Sequence, residues 1–210
     1  MEIERTVSFP SYGTSGSAFS LPSTSVQGKL EKQHTLGVSG RNFTTTSLPF
    51  NQEAVARCVA TWTQDSNGKI EAKLFETSQV ISASDVSAKQ LLRLQLECLA
   101  GSTASEVKLD AVPSDTIFAL MFGSASNGGA YSHGEKGAYG RLVTWQSLAA
   151  LTGVGASGTI EDVDRAVQKS SWYSFSSTAR WFYNIAWDFG IVCLRPEKRR
   201  LAIFAATDQD

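Results

Sequence analysis

Charge of one sign is what this chain most lacks. Nineteen Lys and Arg stand against twenty Asp and Glu, for a formal charge of −1. So balanced a composition builds no polycationic footprint, and nucleic acid is not expected as a partner. No apolar run approaches the roughly 18 residues a membrane span needs, which excludes membrane contact of that kind. The first residues show no basic start leading into an apolar stretch, so no secretory leader is expected and the location expected is cytoplasmic. Cysteine is scarce: Cys58, Cys98 and Cys193 are too few and too scattered for a disulfide framework. Each lies in an apolar segment, as buried free thiols in a reducing compartment do. Histidine is scarcer still, with only His34 and His133, and no Cys pair has ligand spacing. No metal site is therefore expected. The Gly-x-Ser-x-Gly elbow of many hydrolases is also missing.

What is present divides near residue 50. Residues 1–50 hold sixteen Ser or Thr, with Phe9, Tyr12, Phe19, Phe43 and Phe50 spaced singly. Low apolar content argues against a separately folding unit there. We expect an extended, partly ordered N-terminal arm over 1–50 and a single domain over 51–210. The arm offers a means of oligomerisation by clamping a second chain.

From residue 51 the pattern becomes regular. Residues 55–62 read as a strand, Asn67-Gly68 as a hairpin turn, and residues 69–77 as the returning strand. The same stretch mimics part of a calcium loop, with Asp65, Asn67 and Gly68 in place, but Leu74 stands at the position of the bidentate Glu. Ser82 and Asp85 form a capping-box pattern for a helix reaching Leu99, with Leu91, Leu92, Leu96 and Leu99 on one face. Pro113 and Ser114 open a second helix, which ends at Ser126-Asn127-Gly128. A third is expected over 137–152, with Leu142, Trp145, Leu148 and Leu151 recurring and Gly153 closing it. Thr159 and Asp162 cap a fourth, ending near Lys169. Residues 172–175 alternate as a strand. Ser177 opens a fifth helix through Phe189, and residues 191–194 and 201–206 form a hairpin. The sum is an α+β fold: an antiparallel sheet built from hairpins, packed against about five helices.

One segment stands apart. Residues 126–141 carry five glycines among sixteen residues and lead into a helix N-terminus. Glycine lets backbone approach a partner closely, and a helix N-terminus favours anions. Asn127, Tyr131, His133, Glu135, Lys136, Tyr139 and Arg141 are the binding residues expected there. His133 is the one candidate acid or base. The plain alternative is a long helix–helix connection with its polar residues in water. Farther on, Trp187, Asp188 and Arg195 are candidates for a pocket floor, with a salt bridge as their structural alternative. The acidic residues Asp208 and Asp210 read as a solvated terminus. The pattern Gly153-Val-Gly155-Ala-Ser-Gly158 resembles a dinucleotide fingerprint, but a helix precedes it and the acidic residue wanted downstream is missing. No cofactor is expected.

Three blocks together resemble an uncharacterised, mostly bacterial family catalogued as a domain of unknown function. They are residues 126–131 (SNGGAY), 137–150 (GAYGRL with Trp145 and Ser147-Leu-Ala-Ala), and the later set Trp181-Phe182, Ala186-Trp187-Asp188, Leu194-Arg195-Pro196 and Ala205-Ala-Thr-Asp208. The resemblance implies no activity and no catalytic role. It implies that relatives carry further sequence before the counterpart of the arm. The expected function is a non-catalytic binding or protein-interaction module using the loop 126–141, with an unknown protein partner or a small anionic ligand. The alternatives are an enzyme with His133 and Arg141 in its pocket, or a structural subunit of an assembly.

Overall fold

A computed structural model describes residues 43–209, and one six-stranded antiparallel sheet organises them. The strands are β1 (Thr45–Leu48), β2 (Lys69–Thr77), β3 (Val107–Val112), β4 (Ser171–Ser177), β5 (Asp188–Leu194) and β6 (Arg200–Thr207). They lie in the order β1-β2-β6-β5-β4-β3. The expected hairpin of β5 and β6 forms around Pro196-Glu197-Lys198-Arg199 and occupies the middle of the sheet. β2 then pairs along β6, with Lys69 opposite Thr207 and Glu76 opposite Arg200. β1 lies within the first 50 residues, so the sheet begins ahead of the shift in composition. Most of the Ser/Thr-rich arm, including Phe9, Tyr12 and His34, lies outside the described residues.

Alternation along the strands sends side chains to two different cores. On one face Ala72, Leu74, Trp172, Phe189, Ile191, Cys193, Ala202 and Phe204 meet the helices. These are α1 (Gln52–Ala56), α2 (Ala60–Gln64), α4 (Ser114–Asn127), α5 (Gly137–Thr152) and α6 (Ile160–Lys169). On the other face Phe75, Tyr173, Phe175, Val192, Leu194, Leu201 and Ile203 meet an irregular layer containing Leu91, Leu94, Leu96 and Leu99. The central strands are therefore covered on both sides, which explains their nearly unbroken apolar sequence. Burial pushes the thiols of Cys58 and Cys193 up to about 12, and both remain unreactive packing.

The long helices fall where their local signals place them. Thr159 accepts from Asp162 N while the Asp162 carboxylate accepts from Thr159 N, a complete capping box for α6. Gly153 takes the left-handed C-cap of α5. Three expectations fail. Residues 55–62 are helical, forming α1, a 3-10 turn (Arg57–Val59) and α2. Val55, Cys58, Val59 and Trp62 are all buried at helical spacing, and Asn51 caps α1 through Ala54 N. The β-branched composition masked that period. Asn67-Gly68 consequently ends a helix: Gly68 N–H donates to Trp62 C=O at 2.9 Å, and no hairpin forms.

The expected helix over 82–99 is broken into a 3-10 turn (Ala83–Asp85), α3 (Ala88–Arg93) and a second 3-10 turn (Glu97–Leu99). Gln95, at φ 53°, prevents continuation. The expected fifth helix, 177–189, is absent: residues 178–187 are irregular and Phe189 belongs to β5. Here the Asp188 carboxylate gathers the amides of Asn184 and Ile185 into a turn.

Gly190 sits in mid-strand opposite Phe175, whose ring lies over it. A Cβ at Gly190 would stand 2.5 Å from Phe175 Cζ. Gly190→Ala is expected to destabilise the fold by about 1–3 kcal/mol through overpacking. Urea denaturation should show a lower midpoint with an unchanged slope.

Buried within the irregular face is one carboxylate, Glu71 on β2. Its two oxygens accept from Glu97 N at 2.9 Å and Cys98 N at 2.8 Å, and Lys73 Nζ lies 2.7 Å away. Glu71 thus caps the second 3-10 turn and ties that layer to the sheet.

Candidate functional site

The glycine-rich loop is built from α4 outward. The helix stops because Gly128 turns to φ 80°, and its N–H still reaches Ser124 C=O at 3.1 Å. The chain then folds back on the helix end, where Glu135 N–H donates to Ala125 C=O at 2.8 Å. Lys136, at φ 52°, leads into α5 without a side-chain cap.

Side chains pin the loop from below. Asp208, just past β6, is fully buried and accepts from Ala130 N at 2.8 Å, Ser66 Oγ at 2.8 Å and Gln209 N at 3.0 Å. This corrects the reading of Asp208 as a solvated terminus; Asp210 lies outside the described residues. Ser132 Oγ accepts from Gly129 N at 2.8 Å and donates to Thr61 Oγ1 at 3.2 Å. Gly129 runs so close that a Cβ there would collide with Asp208 Oδ2 and lie 3.0 Å from Trp62 Cδ1. Trp62 itself is buried against Phe189, ring centroids 5.7 Å apart. Thr61, Trp62, Ser66 and Asp208 were not legible as parts of this site, whereas Ser132 lies within the loop that was. Their only hint was a polar Thr-Asp pair closing an apolar strand.

Above this anchored base, Asn127, Tyr131, His133, Glu135, Lys136, Tyr139 and Arg141 are all exposed. Tyr131 is 68% and Tyr139 70% exposed, and Leu142, expected to face the core, is 51% exposed. The core positions of α5 are instead Thr144, Ser147, Leu148, Leu151 and Thr152. Tyr139 and Leu142, three apart, share a helix face.

The remaining candidates divide. Trp187 lies at the same end of the sheet as the loop, and its C=O accepts from Asp208 N at 3.1 Å. Asp188 points into its own strand end, accepting from Thr207 Oγ1 and from the amides of residues 184 and 185. Arg195 stands at the far end of α5, which at 1.5 Å per residue spans about 24 Å. There its Nε donates to Leu151 C=O at 2.9 Å and its Nη2 to Ala150 C=O at 3.0 Å. Arg195 is a helix C-cap and does not join the loop. Neither Asp188 nor Arg195 forms a salt bridge to another described residue.

Two open cavities lie away from the loop. One, of about 300 Å³, is bounded by β3, β4 and the end of α6; the other, of about 350 Å³, is lined by Leu92, Leu96, Leu99 and Ser102. Among the described residues no group of three or more His, Cys, Asp or Glu could hold a metal ion, and no helix is long and apolar enough to cross a membrane.

No curated protein and no solved structure matches this chain. One family model does, across residues 1–210, and its description is a family of unknown function. The chain belongs to that family, DUF6183.

Proposed function

We propose that the protein is a non-catalytic interaction module whose recognition surface is the loop 128–136 with the first two turns of α5. The observation that carries this reading is the exposure of Tyr131 on a loop anchored through Asp208 and Ser132, together with that of Tyr139 and Leu142 on α5. Tyr and Arg are the residues on which interfaces concentrate binding energy, and Arg141 stands between the two α5 side chains in sequence. His133 fits recognition better than proton transfer, because no carboxylate among the described residues forms an ion pair with it.

A second reading has its own support: α5 starts without a side-chain cap, and Lys136 and Arg141 flank its free amides. A small anion is the ligand this would favour.

Affinity capture with crosslinking from the producing cell tests the first reading. The Tyr131→Ser/Tyr139→Ser/Arg141→Glu variant is expected to lose at least about tenfold of any partner retained by wild type, the effect of roughly 1.4 kcal/mol. Lys108→Glu, on edge strand β3 three strands across the sheet from β6, should retain it. Equal capture by all three proteins defeats the proposal. A melting-temperature rise with phosphate or nucleotides that Arg141→Ala abolishes supports the second reading instead.

A further inference from the structure

We infer that residues 128–136 form a hinged lid, latched to the sheet by Asp208, whose opening uncovers the indole of Trp62. The inference concerns the motion of the loop and holds whether or not its outer surface takes a protein partner.

The hinges are the places where backbone is held at positive φ: Gly128 at 80°, and Lys136 and Gly137 at 52° and 41°. Between them the segment is joined to the body by one main-chain hydrogen bond, from Glu135 N–H to Ala125 C=O. Its other attachments run through side chains: Ala130 N–H to Asp208, and Ser132 Oγ to Thr61. No strand pairing or helix has to break for those bonds to release. Segments fastened in this way open as local units below the free energy of global unfolding.

Closure has a cost in unmade bonds. Trp62 is 2% exposed, yet its Nε1 donor has no partner. Gly129 packs against Cδ1, the ring carbon next to that nitrogen. Buried donors are nearly always satisfied, so an orphan indole N–H beneath a segment weakens its closed position. When the lid lifts, solvent water can accept from Nε1, and Asp208 loses its bond to Ala130 while keeping that to Ser66. The latch bonds and the orphan donor thus bias the same element in opposite directions, as a two-position switch requires.

Hydrogen exchange on the full chain without ligand tests this, with the Trp62 indole signal assigned from Trp62→Phe. In wild type the Ala130 amide and the Trp62 indole should exchange at least about a hundredfold faster than the amides of β5 and β6. Asp208→Asn, which removes the charged acceptor, should speed both by a further factor of about ten, with β6 unchanged. Ser66→Ala removes one of the contacts that hold the carboxylate in place, and serves if Asp208→Asn does not fold. Exchange of both sites at the rate of β6 overturns the lid. Variants that leave the rates unchanged, or that speed β6 equally, overturn the latch.

Discussion

Arg195→Met should lower the melting temperature by about 6–12 °C, corresponding to roughly 3 kcal/mol in a domain of this size. The side chain is 7% exposed and lies over Phe50, its guanidinium carbon 5.9 Å from the ring centroid. Burial lowers its pKa, but a guanidinium remains charged under any condition in which the protein folds. That charge faces the negative end of α5 and satisfies two carbonyls that the helix itself leaves open. Met retains the apolar stem and removes both donors and the charge over Phe50, so the loss reports the cap together with that ring contact. Arg195→Lys keeps the charge but not the fork and should recover only part of the stability. Scanning calorimetry on the three proteins provides the measurement, and a Met variant within 2 °C of wild type would contradict this role.

The second large effect is expected at Glu71. Burial alone would raise its carboxyl pKa, but the Lys73 ammonium and the amides of Cys98 and Glu97 outweigh burial and hold it below the usual range. A carboxylate whose folded pKa is depressed contributes stability above its unfolded value, near pH 4, and loses it as pH falls through the folded value. Glu71→Gln removes the charge and turns an NH2 group toward donors, at an expected cost of about 3 kcal/mol at neutral pH. The difference in melting temperature from wild type should shrink between pH 6 and pH 3. A constant difference across that range would mean that the charge at Glu71 has no part in the effect. Cys98 lies in the same contact, and both burial and the Glu71 charge raise its thiol well above the usual range, which keeps it from acting as a nucleophile.

The sequence was most legible where structure is decided within a few residues. The ends of α4, α5 and α6 follow from Pro113, Gly128, Gly153 and the Thr159–Asp162 box, and the apolar runs around Pro196 gave the β5–β6 hairpin. It misled where two local preferences conflict. Residues 55–62 carry β-branched side chains at helical spacing, and packing against α5 decides for helix: Cys58 N–H donates to Ser147 Oγ at 3.1 Å. Residues 178–187 have helical spacing by coincidence, while the Asp188 carboxylate and the pairing of Phe189 with Ala206 make a turn and then a strand. The loop of the candidate site was visible from its glycines. Its anchor was not, because Ala130 and Asp208 are 78 residues apart and only the completed sheet brings them together. The bonds of Arg195 were hidden for the same reason, since its partners lie 44 and 45 residues away on α5.

The sheet order also sets a timetable for biosynthesis. β6 sits between β2 and β5, so the strand at residues 200–207 joins the N-terminal pair β1–β2 to β5, β4 and β3. As the chain leaves the ribosome, β2 exposes one unpaired side and an apolar face until its partner, more than a hundred residues later, has been translated. Loop closure over that separation precedes any gain from pairing, which makes folding slow and leaves the nascent edge open to association with other chains. A chain interrupted before residue 200 keeps that edge of β2 unpaired, because no other strand takes the place of β6.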